Sequence, residues 1–392
     1  MRILLLHNYY QEPGGEDAVV QQEKLLLESN GHSVRLFTQD NVSISSFASK
    51  VTTALNTTYS RVSRRRVQAE IRSFKPDVVH SHNFFPQFSP SVYYACKEAQ
   101  IPVVQTLHNF RLICPNALLF RDGKPCELCV GKSFAWPGVI HACYRDSRSG
   151  TAAVATMLAT QRLLGTWDTC VDAYIALSEF ARSKFVAGGF PTDRLFLKPN
   201  CLMPDPGPRT NSGGFALYVG RLSVEKGIQT LLAGWRKVEN RQLKIVGDGP
   251  LRKVVMDSAD GNIEFLRMKS RREVLELISE AAFLVMPSEC YENFPRVIVE
   301  AFSRGVPVLA SHSGSAQEII RDGDTGVFFC PGDPEDLASK AEWLFKHSAE
   351  LECMARSARS EFLAKYTGER NYERLMQIYT YAAERARQRS TT

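Results

Sequence analysis

No stretch of this chain approaches the roughly 20 consecutive apolar residues that a membrane-spanning helix requires, so the expectation is a soluble or peripheral protein. The opening Met1-Arg2-Ile3-Leu4-Leu5-Leu6 run is too short for the core of a signal peptide, and His7, Asn8 and Gln11 follow it without a small-residue cleavage site. It reads as a first strand, and a cytoplasmic protein, working in places at the inner face of the membrane, is expected. Low-complexity blocks and repeats of solenoid period are missing, which excludes linker-rich and array architectures. A dominant charge is missing too: the formal balance of +6 over 392 residues is a mild excess that favours phosphates or an anionic surface without marking a nucleic-acid binder.

What is present is ordinary globular material, 44% hydrophobic and 23% charged, which excludes intrinsic disorder. The length exceeds what a single core usually supports, so two domains are expected. Short aliphatic runs alternate with helix-period segments, the pattern of parallel sheets with crossover helices, and the fold class is α/β. In the first half Ile3–Leu6, Val34–Thr38, Val78–Ser81, Val103–Leu107, Ala173–Leu177 and Leu195–Lys198 read as strands. In the second half Phe215–Val219, Leu243–Val246, Ile263–Leu266, Ala282–Met286, Val306–Ala310 and Val327–Phe329 repeat the theme. Proline and glycine concentrate between them, so the reading is a first domain over 1–200, a linker over 201–214, a second domain over 215–367 and a closing helix over 368–392 that returns to the first domain.

Glycine turns sit at the carboxyl ends of several strands, where open α/β sheets bind their ligands. The first strand runs into Pro13-Gly14-Gly15-Glu16-Asp17, a strand-to-helix turn whose unpaired N–H groups suit an anion and suit an ordinary helix start equally well. The second half opens with Gly220-Arg221-Leu222-Ser223-Val224-Glu225-Lys226-Gly227, where Arg221 and Lys226 offer cations for a diphosphate or simply face solvent. Gly247-Asp248-Gly249-Pro250 adds another turn at the next strand end. Glu292 before a helix and Glu300 about two turns along it give paired carboxylates, each able to accept two hydroxyl hydrogen bonds; a cap and an exposed helix residue are the plain alternative.

Taken in order, these segments resemble the large retaining glycosyltransferase family four, with GT-B architecture: two Rossmann-like domains facing a central cleft. Gly31-His32, His80-Ser81-His82 and Thr106-Leu107-His108 also stand where that family has such residues. The resemblance implies a nucleotide-diphosphate sugar donor, a glycan or lipid-linked acceptor, no cofactor required for catalysis, and no nucleic acid. It implies that Gly15 packs near the diphosphate and that Arg221 and Lys226 bind it in place of a metal. Glu292 would hold sugar hydroxyls, Glu300 the ribose, Asn293 and Phe294 main-chain contacts to the donor, with Gly247 on the same rim. His108 would stand near the reacting sugar. Pro295 replaces the glycine common after the aromatic residue of this motif and removes one backbone donor. Two rivals stand beside this reading, a sugar-nucleotide epimerase or phosphorylase on the same fold and a non-catalytic sugar-nucleotide-binding module.

Cys114, Cys126, Cys129 and Cys143 fall in an insertion over about 109–150, and the two-residue spacer of Cys126-Glu127-Leu128-Cys129 suits a zinc knuckle; structural zinc and free thiols are both open. Asp322-Gly323-Asp324 precedes an aliphatic run and reads as a turn into a strand rather than a metal triplet. Arg61, Arg64, Arg65 and Arg66, with Arg72 and Lys75, form a basic face suited to an anionic membrane or to solvent.

Overall fold

A computed structural model describes residues 1–9, 14–40, 56–210 and 213–391. Pro13 of the first glycine turn and residues 211–212 of the expected linker lie outside the described residues. The chain divides into two compact units, one of residues 1–119, 127–199 and 371–392, the other of residues 120–126 and 200–370.

Each unit is built on a parallel sheet of six strands. The first unit carries β1 (Arg2–Tyr9), β2 (Ser33–Asp40), β3 (Val78–Asn83), β4 (Val103–Leu107), β7 (Ala173–Ala176) and β8 (Leu195–Leu197), in the order β2-β1-β3-β4-β7-β8. The second carries β9 (Phe215–Val219), β10 (Gln242–Val246), β11 (Ile263–Arg267), β12 (Phe283–Met286), β13 (Val308–Ser311) and β14 (Gly326–Phe329), in the order β11-β10-β9-β12-β13-β14. Helices cover both faces, so central strands such as β4 and β12 are buried throughout, which is why they read as unbroken apolar runs. Between β4 and β7 a small antiparallel hairpin, β5 (Phe120–Arg121) and β6 (Lys124–Pro125), groups with the second unit, although the insertion was expected to belong to the first.

In both sheets the chain starts in the middle, builds one way, then crosses back. β1 has β2 on one side and β3 on the other; β9 has β10 on one side and β12 on the other. At such a switch point the loops leaving the two central strands diverge to opposite faces and open a crevice at the carboxyl edge of the sheet. The carboxyl ends of β1 and β3, and of β9 and β12, are therefore where the geometry of each unit offers a ligand site.

The stretch read as a linker is held along the second unit rather than free. Leu202 N donates to Tyr366 O at 3.1 Å and Arg209 N to Arg304 O at 2.9 Å, so main-chain groups that the prolines leave outside a sheet are satisfied there. The closing helix Gly368–Thr391 has Leu375, Ile378 and Tyr379 fully buried, and its residues from Asn371 onward belong to the first unit. Asp322-Gly323-Asp324 is a turn into β14, with Gly323 at φ 73° and Gly323 N donating to Gly326 O.

Candidate functional site

The switch point of the second unit is a rim of interlocked loops. Leu222 N donates to Asp248 O and Leu251 N to Leu222 O, joining the turn after β9 to the turn after β10. Glu289 N and Cys290 N both donate to Glu225 O, at 3.0 and 3.2 Å, joining it also to the loop after β12. Two glycines make this approach feasible: a Cβ on Gly227 would stand 1.9 Å from Pro287 O, and one on Gly247, at φ 150°, 1.9 Å from Gly220 O. Sequence spacing had found these glycines as turns; their common purpose is to let three backbones meet.

On this rim Lys226 Nζ lies 2.5 Å from Glu292 Oε1, and Ser288 Oγ donates to the same oxygen at 2.7 Å. The two charged residues come from loops 66 positions apart in the chain and are only partly exposed. Burial acts to raise the Glu292 carboxyl, but the Lys226 charge and the two hydrogen bonds outweigh it and hold the group below its ordinary range. Burial likewise acts to lower the Lys226 ammonium, and Glu292 more than reverses it. Both stay charged at neutral pH. Arg221 sits exposed at the start of the same loop, its carbonyl oxygen accepting from Tyr218 Oη at 2.8 Å. Gly314 presses on Glu292 from the loop after β13, where a Cβ would stand 2.9 Å from Glu292 N.

The remaining residues expected here lie on the helix after β12. Pro295 takes the N-cap position of helix Arg296–Ser303, where the lack of an N–H costs the ladder nothing. Glu300 pairs with Arg296 at 3.3 Å rather than joining the Lys226–Glu292 pair, and burial raises its carboxyl above the ordinary value despite that arginine. Asn293 and Phe294, next in the chain, are buried, with Phe294 against the Tyr366 ring at 6.1 Å between centroids. Ser288 and Tyr218 were not picked out from the sequence, since a serine and a strand tyrosine carry no motif.

The switch point of the first unit holds a buried polar network. Gly14 N donates to Asp17 Oδ2 at 2.8 Å while Asp17 Oδ1 meets His7 Nε2 at 2.7 Å, so the turn that places Gly15 at the first position of helix Gly15–Ser29 is tied to β1. Deeper in, Lys198 Nζ donates to Glu23 Oε2 at 3.1 Å and to Asn371 Oδ1 at 3.0 Å. Glu23 Oε1 lies 2.9 Å from His80 Nδ1 and 3.1 Å from His82 Nε2. His80 also meets Tyr379 Oη and Thr106 Oγ1, at 2.8 and 2.7 Å, and His82 Nδ1 meets His108 Nε2 at 2.9 Å. Burial resists ionisation of Glu23, yet Lys198 and the two histidines hold its carboxyl well below the ordinary value. His108, predicted near the reacting sugar, is depressed well below the ordinary imidazole range by burial and then by His82, so it is neutral at pH 7.

Glu23, His80 and His82 are the one group of three such side chains among the described residues whose donor atoms lie within 4.8 Å of one another. The Lys198 ammonium already balances Glu23, and each imidazole is hydrogen-bonded at its other nitrogen, which reads as a charge network rather than a cation cage, with Glu23 Oε1 and His82 Nε2 in ion-pair distance but without a well-formed hydrogen bond. Cys114, Cys129 and Cys143, the three expected zinc ligands in the first unit, form no group of this kind, and Cys114 Sγ instead donates to Asn116 Oδ1 at 3.0 Å. Thiolates sharing one zinc must converge within its first shell, and these do not fit that group.

The network sets a pH dependence. Burial, with the neighbouring His80 charge, pushes fully buried His82 down to about 4 from an ordinary 6.5. Above pH 6.5 the ring is neutral in both folded and unfolded chains; between 6.5 and 4 the unfolded chain takes up a proton that the folded one refuses, and the fold is weakened. Unfolding free energy is expected to fall by on the order of 3 kcal/mol over that window from this group. Below about 4.5 the stabilisation from ionised Glu23 is lost as well. Urea titrations from pH 7 to 4 check this, and a flat profile overturns it.

Comparison with known proteins shows the family. Residues 13–205 match the model of Glycosyltransferase Family 4 and residues 214–347 that of Glycosyl transferases group 1. The sulfoquinovosyl transferase SQD2 of Arabidopsis thaliana is 25% identical over 309 residues, 76% of this chain and 55% of that protein. A glycogen synthase of Mycobacterium tuberculosis is 30% identical over 190 residues, 46% of this chain and 45% of that protein. The matched regions thus span about half the length of these curated relatives. Among solved structures, HepE of Anabaena in complex with UDP superposes with a TM-score of 0.68 at 17% identity, covering 97% of this chain and all of that one. WaaG, a glycosyltransferase of lipopolysaccharide biosynthesis, gives 0.64 at 17%, covering 98% of each chain. At that identity the likeness is one of fold, the GT-B architecture, and with one family model on the first half of the chain and the other on the second, the chain belongs to the group 1, family 4 glycosyltransferases.

Proposed function

We propose that this protein transfers a sugar from a nucleotide-diphosphate donor to a glycan or lipid-linked acceptor, with retention at the anomeric carbon, the donor being gripped by the second unit. The observation that carries the reading is the Lys226–Glu292 pair at the β9/β12 switch point, with Arg221 on the same loop. An ammonium has three N–H donors, and Glu292 takes one of them, leaving two for diphosphate oxygens. Arg221 adds a planar fork suited to phosphate. Both place positive charge where the leaving diphosphate gains negative charge, so the reading needs no divalent metal for that step. The Glu292 carboxylate, kept ionised by Lys226, has lone pairs left for sugar hydroxyls. Neutral His108, engaged by His82 through Nε2, is suited to a hydrogen bond with the reacting sugar. In a same-face mechanism the departing phosphate oxygen assists the acceptor hydroxyl, and no carboxylate acts as a nucleophile. Donor chemistry is supported by neighbours in fold, since HepE is known in complex with UDP and with UDP-glucose.

Calorimetric titration with UDP, ADP and GDP tests the grip. Arg221→Ala and Lys226→Ala are each expected to weaken the best-bound of the three by tenfold or more, roughly 1.4 kcal/mol. Unchanged affinity in both variants would remove the pair from the donor site.

A further inference from the structure

The carboxyl edge of the first sheet carries a second set of cations, which the donor chemistry leaves unused. Beyond β4, Asn109 caps the turn Phe110–Leu112: its Oδ1 accepts from Arg111 N at 3.0 Å, and its Nδ2 donates to Glu16 Oε2 at 3.4 Å, beside the glycine turn after β1. Beyond β3, Asn83 Oδ1 accepts from Phe85 N at 3.0 Å and Asn83 Nδ2 donates to Asn8 O at 2.8 Å, so Phe85 is tied to the ends of β1 and β3. Between these loops stands Arg111, its guanidinium carbon 4.6 Å from the Phe85 ring centroid and 5.1 Å from that of Tyr144. The two rings meet edge to face at 5.8 Å, and the Arg145 guanidinium reaches the same Tyr144 ring at 5.7 Å. All of these residues belong to the first unit.

What Arg111 lacks points to its use. Of its side-chain nitrogens Nη1 donates to Pro115 O, while Nε and Nη2 donate to nothing among the described residues, and no carboxylate there pairs with it. The side chain is half-buried, so its charge is only partly hydrated and is costly without a counter-ion. Arg145 adds a like charge at the same ring. A brace between loops needs only an apolar stem, which an uncharged side chain supplies as well. Rings packed on a guanidinium hold its plane and leave its edge, a donor fork that matches two oxygens of a phosphate or carboxylate. The loop that brings Tyr144 and Arg145 here is strained, with Ala142, Arg145 and Asp146 at φ 51°, 53° and 52°. Non-glycine residues held in that region cluster at ligand sites.

We propose that Arg111, with Arg145, recognises an anionic group on the sugar acceptor, a phosphate or a carboxylate. The inference rests on the transfer reading and narrows its acceptor to a charged one. The full chain, saturated with whichever of UDP, ADP and GDP binds best so that the donor cations are occupied, is titrated calorimetrically with glucose 1-phosphate, geranyl phosphate, glucuronic acid and glucose. At least one anion is expected to bind tenfold or more tighter than glucose. The leading anion identifies the group: a free sugar phosphate, a lipid phosphate or a carboxylate. Arg111→Met, which keeps the stem between the rings, is expected to lose tenfold or more for that anion, and Arg111→Lys and Arg145→Met to lose severalfold, all with wild-type nucleotide affinity and thermal melting. If Arg111→Met does not fold, Arg111→Lys and Arg145→Met decide. Anions bound no better than glucose overturn the proposal, as does anion affinity unchanged in the variants, which makes Arg111 a brace. A wild-type chain that binds an anion through Arg111 but none of the nucleotides supports the anion site and sinks the donor grip instead.

Discussion

Replacing Glu292 with glutamine is expected to lower the turnover number for sugar transfer about 100-fold, roughly 3 kcal/mol of lost transition-state stabilisation. The substitution keeps the volume and one acceptor oxygen, so the interlocked loops after β9 and β12 retain their main-chain bonds. What disappears is the charge. Lys226 then faces a neutral amide and sits closer to free in energy, which leaves affinity for the nucleotide diphosphate alone unchanged or slightly tightened. Sugar hydroxyls lose an ionised acceptor held in one orientation by Lys226 and Ser288. The separation of the two readouts matters more than either. If Glu292 merely shaped the pocket, ground-state and transition-state binding would fall together and KM would carry the effect. Release of nucleotide diphosphate, followed at saturating donor, measures turnover; a variant within a few-fold of wild type would sink the role given to Glu292.

The sheets were legible in the sequence because burial on both faces forces unbroken aliphatic runs, and all twelve predicted segments are strands. The hairpin at Phe120–Arg121 and Lys124–Pro125 escaped because two-residue polar strands have no period to read. Gly220, Gly227, Gly247 and Glu292 were legible as strand-end signals, yet strand order was not, and only the order puts the turns after β9 and β12 side by side. Arg221 and Lys226 were read together as cations for a diphosphate, and the ion pair of Lys226 with Glu292 could not be read without that order. One clue was available and missed. Val19, Glu23, Leu26 and Leu27 follow the helical period of a buried stripe, so an acid stood among residues bound for the core and required a buried cation. Nothing local identifies Lys198 as that cation. Conversely, the Cys126–Cys129 spacer looked like metal chemistry, and spacing alone does not say whether thiols separated by a dozen residues converge.

Lys198→Met is expected to cost the protein about 3–5 kcal/mol, the penalty for stripping one member from a buried ion pair. Lys198 and Glu23 are 2% and 4% exposed at the side chain, and methionine fills the stem while removing the charge. Glu23 is then left ionised beside His80 and His82 alone, or takes a proton that its surroundings now favour; either way the stabilisation is lost. Because the histidine network passes through Glu23 to His82 and on to His108, sugar transfer should fall as well, with nucleotide affinity in the second unit untouched. Adding Glu23→Gln to Lys198→Met should recover part of the stability, since groups in direct contact do not contribute additively and a neutral pair leaves no stranded charge. Urea unfolding of the single and double variants at pH 7 makes the comparison. A loss under about 1 kcal/mol for Lys198→Met, the range of an exposed pair, would mean that the pair is far better solvated than its burial implies.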